Sequence, residues 1–496
     1  MHIPAIKTTS APTLLRILFN GGDNMLGRAV QLSFPVQSPH EELLRDSCTA
    51  EHYLNLCLHP TATNDHEAVM SLEEIRRANM HGTYLWGDYL KLTLNQPPDL
   101  RLMNLETALT RSIDNDDIPW EKGINYHFHL DNFKGVMEGY QAVPHARQEE
   151  HGDDDIKGQK AKEDAAEKLR KTSNSSPLCI TLANNHIIDF GRQAFVEETL
   201  PFLNSYTKQC QGFAQFAGAG SNIHEASRPA HWTLNLPSTN DEVKQVEVYV
   251  MAAGSMDSGV PRQWGAATDS AGVFQLPRLD SMHAVNDAVD LLKYWMGIHG
   301  IAPTKLPSSK SLVILSVHWG PNWAYRYSGD NQKFRREFAH ACIDQCGVDI
   351  IYGHSSHHIR GIEGYNGKLI IYGAGDLIND YEGFANAGDE KYCKFGALFL
   401  ADFCIETKDL YRLTLVPTFM NRLQLKLLCP SDSSVRDIWN PRNRTNDRGS
   451  NIEHASCLCT AINDLTKLDA GSKQGLKLRL SKDPVCNESE YVLVYP

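Results

Sequence analysis

The sequence lacks any long hydrophobic run. No window approaches the roughly 18 consecutive apolar residues that a membrane-spanning helix needs, and the apolar stretch ending at Phe19 is too short for a signal-peptide core. We therefore expect a protein without a transmembrane segment or secretion signal, located in the cytoplasm.

Basic residues are the minority of the charged ones, because 48 Lys and Arg stand against 60 Asp and Glu and leave a net charge of −12. A protein that binds nucleic acid or an anionic membrane needs a concentrated basic surface, and the sequence offers none. We expect no nucleic-acid partner, although a local basic pocket for a small anion is compatible with this charge.

A disulfide framework is missing as well. The 12 cysteines are scattered irregularly over 496 residues, whereas disulfide scaffolds are short and dense in cysteine. Free thiols in a reducing compartment are the better interpretation. Internal repeats, heptads and low-complexity tracts are also absent, which excludes solenoids and coiled coils.

What the sequence does contain is a series of short, branched apolar runs that end in polar or glycine-rich clusters. Such runs, bounded by turn formers, are typical of buried strands. Six of them are 14–19, 100–103, 178–182, 312–317, 348–352 and 369–372.

Segments of helical periodicity separate these runs, at 195–206, 282–296 and 332–346. Strands that alternate with helices indicate an α/β protein, in which functional groups gather at the carboxyl ends of the strands. Each of the six predicted strand ends carries a metal-competent or acid–base side chain: Asp23, Glu106, Asn185 with His186, His318, His354 and Asp376.

The stretch 145–177 interrupts this order with mixed charge and few apolar residues, so we expect it to be an insertion on the surface. Residues 1–420 are predicted to form one large domain that includes this insertion. Residues 421–496 are predicted to be a C-terminal extension packed on that domain.

The strand-end residues together carry more information than any one of them, because a single Asp or His is more often a cap or a hydrogen-bonded structural residue. Two divalent cations held close together need a bridging carboxylate, imidazoles and amide or carboxylate oxygens from several loops. The strand-end residues of this sequence include all of these ligand types. They predict a site for two divalent ions, and Mn²⁺, Zn²⁺ and Fe are all suited to mixed N/O ligands.

Six motifs in order carry a resemblance to a known family. They are Gly22-Asp23-Asn24-Met25-Leu26-Gly27-Arg28, Asn104-Leu105-Glu106, Leu182 to Gly191 with Asn184-Asn185-His186, Gly218 to Ala226, His318-Trp319-Gly320 and Gly353-His354-Ser355-Ser356-His357. Over residues 14–420 the chain resembles the CapA family, the poly-γ-glutamate capsule biosynthesis proteins, whose domain is similar to the calcineurin-like metallophosphoesterases.

This resemblance implies a four-layer α/β/β/α sandwich with a dinuclear metal centre at one edge. Carried over motif by motif, the implied metal ligands are Asp23, Glu106, Asn185, His318, His354 and His357. Asp23 and His357 would serve the first metal, and Glu106 would take the bridging position. The other three would serve the second metal.

The resemblance also implies residues that act on the substrate. His186 matches the histidine that serves as general acid, and Asp189 would orient it. Contacts to an anionic substrate are expected from Arg28, Asn104, Asn184, Arg262 and Trp319. The chain departs from the phosphoesterase pattern Asp-x-His, because Met25 stands where an imidazole ligand is usual, and Asp376 stands where CapA-like sequences tend to have Asn.

The predicted function is that of a metal-dependent hydrolase or transferase of the CapA family, which uses a metal-activated water on an amide bond of the γ-glutamyl type or on a phosphoester bond. Two alternatives stay open. One is a biosynthetic enzyme that forms or rearranges an amide or ester bond on a small acid, and the other is a noncatalytic accessory protein of poly-γ-glutamate synthesis. The sequence leaves the oligomeric state open.

Overall fold

The structure is a computed structural model. It describes residues 12–44, 46, 48–59, 70–92, 97–114, 116, 118–141, 176–237, 243–301, 311–323, 330–382, 395–428, 451–470, 475–481 and 492–495. Apart from its last two residues, the predicted insertion 145–177 lies outside these ranges.

The strands within the described ranges are numbered in chain order. They are β1 (Leu14–Asn24), β2 (Leu100–Leu105), β3 (Ala108–Thr110), β4 (His127–His129), β5 (Leu178–Thr181), β6 (Ala214–Ala217), β7 (Ala219–Gly220), β8 (Ala230–Pro237), β9 (Val243–Ser255), β10 (Gly272–Val273), β11 (Gln275–Leu276), β12 (Ser311–His318), β13 (Ile350–His354), β14 (Ile362–Tyr365), β15 (Lys368–Ile371), β16 (Asp376–Ile378), β17 (Phe395–Cys404), β18 (Leu410–Asn421), β19 (Gln424–Leu427), β20 (Arg479–Ser481) and β21 (Val492–Tyr495).

Two large sheets dominate the fold. The first has the order β20-β21-β18-β17-β1-β2-β5-β6, with β16 beside β1 and β19 beside β18. Its β1, β2, β5 and β6 are parallel, and β17 joins β1 in antiparallel fashion. The second has the order β11-β9-β12-β13-β15-β14, with β8 antiparallel to β9. Its central strands β9, β12, β13 and β15 are parallel.

The α-helices are mostly short. Those described are Ala29–Leu32, Ala50–Leu58, Leu72–Asn79, Thr83–Trp86, Phe133–Gln141, Arg192–Ala194, Leu200–Gln209, Ile223–Ala226, Met282–Ile298, Asp330–Ala341 and Asn451–Asp469. One π-helical turn, Phe195–Thr199, joins two of them, and another, Cys342–Cys346, continues the helix that ends at Ala341.

Alternation along the strands sorts the apolar side chains into three cores, because successive residues of a strand point to opposite faces. From β1, Ile17 and Phe19 enter the core between the two sheets, whereas Leu18 enters the core between the first sheet and its helices. From β12, Ile314 faces the inter-sheet core and Leu315 faces the helices Met282–Ile298 and Asp330–Ala341. Helices therefore cover both outer faces, and the predicted four-layer α/β/β/α sandwich is confirmed.

The six predicted strands and the three predicted helices are confirmed. Sequence reasoning did not single out β9 or β17, although β17 is buried along its whole length and pairs with β1. The predicted division at residue 420 falls inside β18, and β21 returns to pair with that strand. The division of the chain into a domain and an extension stays a prediction.

Candidate metal site

The site lies where parallel strands of both sheets end. Asp23 is the penultimate residue of β1, and Glu106 directly follows β2. His318 and His354 are the last residues of β12 and β13 and face each other in register. Because the carboxyl ends of parallel strands share one edge, residues far apart in the chain come together here.

A tight backbone approach places Asp23. Gly21 has a φ of 60°, and a Cβ on it would lie 2.7 Å from the Cβ of Leu377. The neighbouring Gly22 donates its N–H to the carbonyl of Gly375 at 2.6 Å. Residues without a Cβ are needed at both positions, since β1 and β16 approach each other closely there.

The first ligand group comprises Asp23, His318 and His354, whose candidate ligand atoms all lie within 4.8 Å of one another. Asp23 Oδ1 lies 3.7 Å from His318 Nδ1 and 3.8 Å from His354 Nδ1. Asn185 lies next to this group, and its Oδ1 is 2.8 Å from His318 Nε2, the ring nitrogen that does not face His354.

The second ligand group comprises Asp23, Glu106 and His357, within the same limit of 4.8 Å. Asp23 Oδ2 lies 3.7 Å from His357 Nδ1, and Glu106 Oε1 lies 3.4 Å from His318 Nε2. Asp23 therefore belongs to both groups. The bridging position that the resemblance implies for Glu106 stays a prediction.

Asp23 is held in orientation by its neighbours. Asn104 Nδ2 donates to its Oδ1 at 2.9 Å, and the backbone N–H of Ser355 donates to its Oδ2 at 2.9 Å. Asn184 in turn donates to Asn104 Oδ1 at 3.0 Å and accepts the N–H of His186. Asn104 and Asn184, predicted as substrate contacts, thus have most of their hydrogen-bonding capacity committed within the protein.

Burial shapes the charges of the site. It raises the pKa of Asp23 to about 6, and burial together with the nearby Asp23 carboxylate raises the pKa of Glu106 well above its usual value. Burial lowers the pKa of His354 to about 3 and, with the neighbouring His354 ring, holds that of His318 well below its usual value. The pKa of His357 is raised, because the Asp376 carboxylate outweighs the opposing effect of burial.

Glu106 is the least satisfied member. Both of its carboxylate oxygens are buried and have no hydrogen-bond partner among the described residues. Buried charges in proteins are normally paired or coordinate metals. A carboxylate in this condition, next to neutral imidazoles and a second carboxylate, fits a divalent cation that accepts mixed N/O ligands.

His186 lies beside this centre with a partner for its ring. Its Nδ1 donates to Asp189 Oδ2 at 2.6 Å, and its Nε2 lies 3.9 Å from Glu106 Oε1. Asp189 also accepts the N–H of Tyr126 at 2.7 Å and a hydrogen bond from the Lys122 ammonium. Burial and the ammonium of Lys122 lower the pKa of His186 to about 4.

The structure thus brings the six predicted metal ligands and the pair His186–Asp189 to one place, although their roles stay predictions. Trp319 is not at the site. It follows His318, so the pleat turns it to the opposite face, where its Nε1 donates to the carbonyl of Tyr372 at 2.9 Å and its ring packs near Phe338. The structure therefore gives no support to a substrate contact by Trp319, which stays a prediction.

Arg28 is buried, and its guanidinium is bound by Asp46 at 2.7 Å and by Asp380. It also lies over the ring of Tyr53, at 3.9 Å from the centroid. These partners neutralise its charge, so the structure gives no support to a substrate contact by Arg28. Arg262 is exposed in the 3₁₀ turn Arg262–Trp264, and no described contact joins it to the ligand groups.

Sequence reasoning missed two residues. Asp376 was named as a strand-end residue but not as part of the site, and its Oδ1 lies 3.0 Å from His357 Nδ1. Lys122 was not considered. Its Nζ reaches Asp189, the carbonyl of Asn185 and, at 3.0 Å, His186 Nδ1. None of the sequence motifs includes Lys122, because its turn, Trp120–Lys122, lies outside every strand–loop motif.

The fold is a two-sheet α/β sandwich, and two overlapping groups of buried candidate ligands lie at the carboxyl ends of its strands. Together these features are those of a candidate dinuclear metal protein. A family model described as bacterial capsule synthesis protein PGA_cap matches residues 144–381. This match supports the resemblance of the chain to the CapA family.

Individual relatives extend the match. A protein of Mycobacterium tuberculosis described as a probable polyglutamine synthesis accessory protein is 29% identical over 429 residues, which cover 85% of this chain and 89% of that protein. A capsule biosynthesis protein CapA of Bacillus anthracis is 24% identical over 44% of this chain and 43% of its own length. A phosphatase from Mycoplasma pneumoniae aligns over 83% of this chain and 95% of its own, with 9% identity and a TM-score of 0.33.

No helix in the described part of the chain is long and apolar enough to cross a bilayer.

Proposed function

We propose that this protein is a metal-dependent hydrolase or transferase that acts on an amide or phosphoester bond of an anionic substrate. The observation that carries the proposal is the sharing of Asp23 by two buried ligand groups, beside the buried carboxylate of Glu106. A single ion would leave one of these groups uncompensated, so we propose two divalent ions, with Mn²⁺, Zn²⁺ or Fe suited to the ligands.

Divalent ions bound there would supply Lewis acidity and an activated water. The chain itself supplies a proton path. The Nδ1–H of His186 is held by Asp189, which fixes the tautomer and leaves Nε2 facing Glu106 and the ligand groups. With a pKa of about 4 the ring is neutral at neutral pH, so as a general acid it would first take up a proton on Nε2 and then pass that proton to the leaving group.

The amide alternative takes support from the relatives, because their printed names concern polyglutamine and capsule synthesis. We propose a glutamyl-type anionic substrate on this basis. The described cysteines are free, which supports a reducing compartment such as the cytoplasm.

The test combines metal content with activity. Purified protein is loaded separately with Mn²⁺ and Zn²⁺, the bound metal is counted by mass spectrometry, and hydrolysis of a γ-glutamyl anilide and of an aryl phosphate is followed. We expect about two equivalents of metal, activity on one substrate class, and loss of activity in Glu106→Gln and His186→Gln. Only Glu106→Gln should also reduce the metal content.

Exposed carboxylates and histidines offer matched controls. Glu73 and His283 are largely exposed, and their described contacts do not include any member of the ligand groups. Glu73→Gln and His283→Gln should therefore keep both metal and activity. Correctly folded, fully loaded protein that hydrolyses neither substrate class, while the same protein binds poly-γ-glutamate, would refute the catalytic proposal.

That second outcome corresponds to a noncatalytic accessory protein, which is the candidate that the name of the mycobacterial relative favours. The departure at Met25 favours it too, because this buried thioether accepts a hydrogen bond from Tyr381 at 3.3 Å where an imidazole ligand is usual. In that case the metal would serve stability or partner binding.

A further inference from the structure

The loop after β13 follows His354 directly and carries a second candidate ligand, His357, in a strained backbone. Within it, Ser355 has a φ of 94° and His357 a φ of 55°. Non-glycine residues rarely adopt positive φ, and such conformations persist only where the surroundings hold them.

The helix Asn451–Asp469 ends against the same loop. Asp469 is fully buried, and its Oδ1 accepts from Arg360 Nη2 at 2.7 Å, while its Oδ2 accepts from the backbone N–H of Gly361 at 2.8 Å. One turn earlier in the helix, Thr466 Oγ1 accepts the N–H of Ile362 at 3.0 Å. The helix end therefore satisfies consecutive backbone groups directly after the strained segment.

The end of this helix and the backbone at Gly361 are also in close contact. A Cβ on Gly361 would lie 2.7 Å from Thr466 Cα and 2.9 Å from Asp469 Cβ. On the other side, the N–H of Arg360 donates to the carbonyl of Gly373 at 2.8 Å. Arg360 is thus fixed from both directions, three residues after His357.

We propose that Asp469 is a positioning residue for the candidate metal centre: through Arg360 and Gly361 it holds the loop 354–361 in the backbone conformation that aims His357 at Asp23. This gives the C-terminal helix a task in the site, although it contributes no ligand. The expected change in metal affinity rests on the proposed metal site. The expected change in backbone hydrogen exchange does not depend on that site.

The experiment uses the full chain with Asp469→Asn, Asp469→Ala and the control Asp464→Ala. Asp464 lies on the same helix but is 63% exposed and pairs only with Lys467 among the described contacts. Hydrogen exchange is measured on the metal-free proteins at the amides of residues 355–358. None of these amides bonds to Asp469, so loss of the carboxylate does not expose them directly.

We expect faster exchange at 355–358 in both Asp469 variants and no change in Asp464→Ala. Metal titration should show one of the two equivalents weakened by about tenfold, at the lower end of the effect of residues that orient ligands, and the other weakened less, through the shared Asp23. A uniform loss of stability cannot produce this split between equivalents.

Unchanged exchange at 355–358 in folded Asp469→Asn would overturn the inference. Equal weakening of both equivalents would overturn it as well. If Asp469→Ala fails to fold, Asp469→Asn decides the question, because it keeps the size of the side chain and an acceptor for Gly361. If wild-type protein takes up no metal, the proposed function fails while the exchange measurement still decides the role of Asp469.

Discussion

The imidazole rings of His318 and His354 face each other at the ends of neighbouring strands, with their Nδ1 atoms 2.8 Å apart. His354 Nε2 lies 2.8 Å from Ser316 Oγ, and His318 Nε2 donates to Asn185 Oδ1 at the same distance. Burial lowers the pKa of both imidazoles, so both rings are neutral at neutral pH, and a hydrogen bond between their Nδ1 atoms needs a proton on one of them. Two imidazole ligands of a tetrahedral ion stand about 3.3 Å apart, so a cation can replace this hydrogen bond with little movement.

Replacing Glu106 with Gln should separate metal binding from stability. Because the pKa of Glu106 is raised in the folded, metal-free protein, ionising this carboxyl costs stability, and that cost grows as the pH rises from the unfolded value of 4.5 towards the folded value. We expect metal-free Glu106→Gln in mildly alkaline buffer to be more stable than wild type by about 1–3 kcal/mol, while added metal no longer stabilises it. Urea unfolding with and without metal measures both effects.

Glu363 provides the control for this prediction. It is equally buried, yet Tyr372 donates to it at 2.6 Å and His340 lies 3.0 Å away. Glu363→Gln should therefore destabilise the protein. If Glu106→Gln and Glu363→Gln shift the free energy of unfolding in the same direction, the lack of hydrogen-bond partners at Glu106 does not explain the effect of its replacement.

Metal affinity should rise with pH. Asp23, with a pKa of about 6, and Glu106 carry protons in the metal-free site at mildly acidic pH, and these protons compete with the cation. His318 and His354 are already neutral there and release none. We expect affinity to increase as the pH rises through about 6, by about tenfold per unit for each proton released. Calorimetric titration in two buffers of different ionisation enthalpy counts the protons, and a count of zero contradicts the prediction.

Lys122 and Asp189 should depend on each other. The Lys122 side chain is 13% exposed and that of Asp189 is fully buried, and breaking a buried pair from one side costs about 3–5 kcal/mol. We expect Lys122→Met to destabilise the protein by an amount of this order. The double variant Lys122→Met/Asp189→Asn should recover at least about 1 kcal/mol without recovering activity, as thermal unfolding and a rate assay together would reveal. Additive losses of stability would show that the two residues act independently.

Gly21→Ala should cost more than a change at an open glycine. Both Gly21 and Gly123 have positive φ, at 60° and 87°, but a Cβ on Gly21 meets Leu377 at 2.7 Å whereas nothing lies within 4 Å at Gly123. We expect Gly123→Ala to cost about 1 kcal/mol from backbone strain. Gly21→Ala should cost a further 1–3 kcal/mol, roughly the penalty of overpacking, and should weaken metal binding because it displaces Asp23. Chemical denaturation of the two variants gives the comparison.

The sequence predicted the parts of the site that follow local rules. Short apolar runs ending in polar clusters predicted β1, β2, β5, β12 and β13, and the topology of parallel strands then placed Asp23 beside His318. For Trp319, the period of two along a strand already turns its side chain away from the face of His318, which speaks against the predicted substrate contact.

Other features depend on tertiary contacts that carry no local signal. Arg28 is neutralised by Asp380, which lies 352 residues away, and Lys122 reaches Asp189 from a turn 67 residues earlier. The pairing of Asp376 with His357 follows from the placement of β16 beside β1, which no run of apolar residues announces. Such contacts determine which charged groups remain available to a ligand. They therefore affect function, although no local sequence pattern predicts them.

The place of Asp23 in both ligand groups has a thermodynamic consequence. In the proposed two-ion site, a carboxylate that serves both positions would couple their occupancies, because the first ion would displace the proton of Asp23 and fix its orientation before the second ion arrives. By the same coupling, loss of either ion would loosen the other. Metal uptake by such a site would rise over a narrower range of metal concentration than uptake by two independent sites.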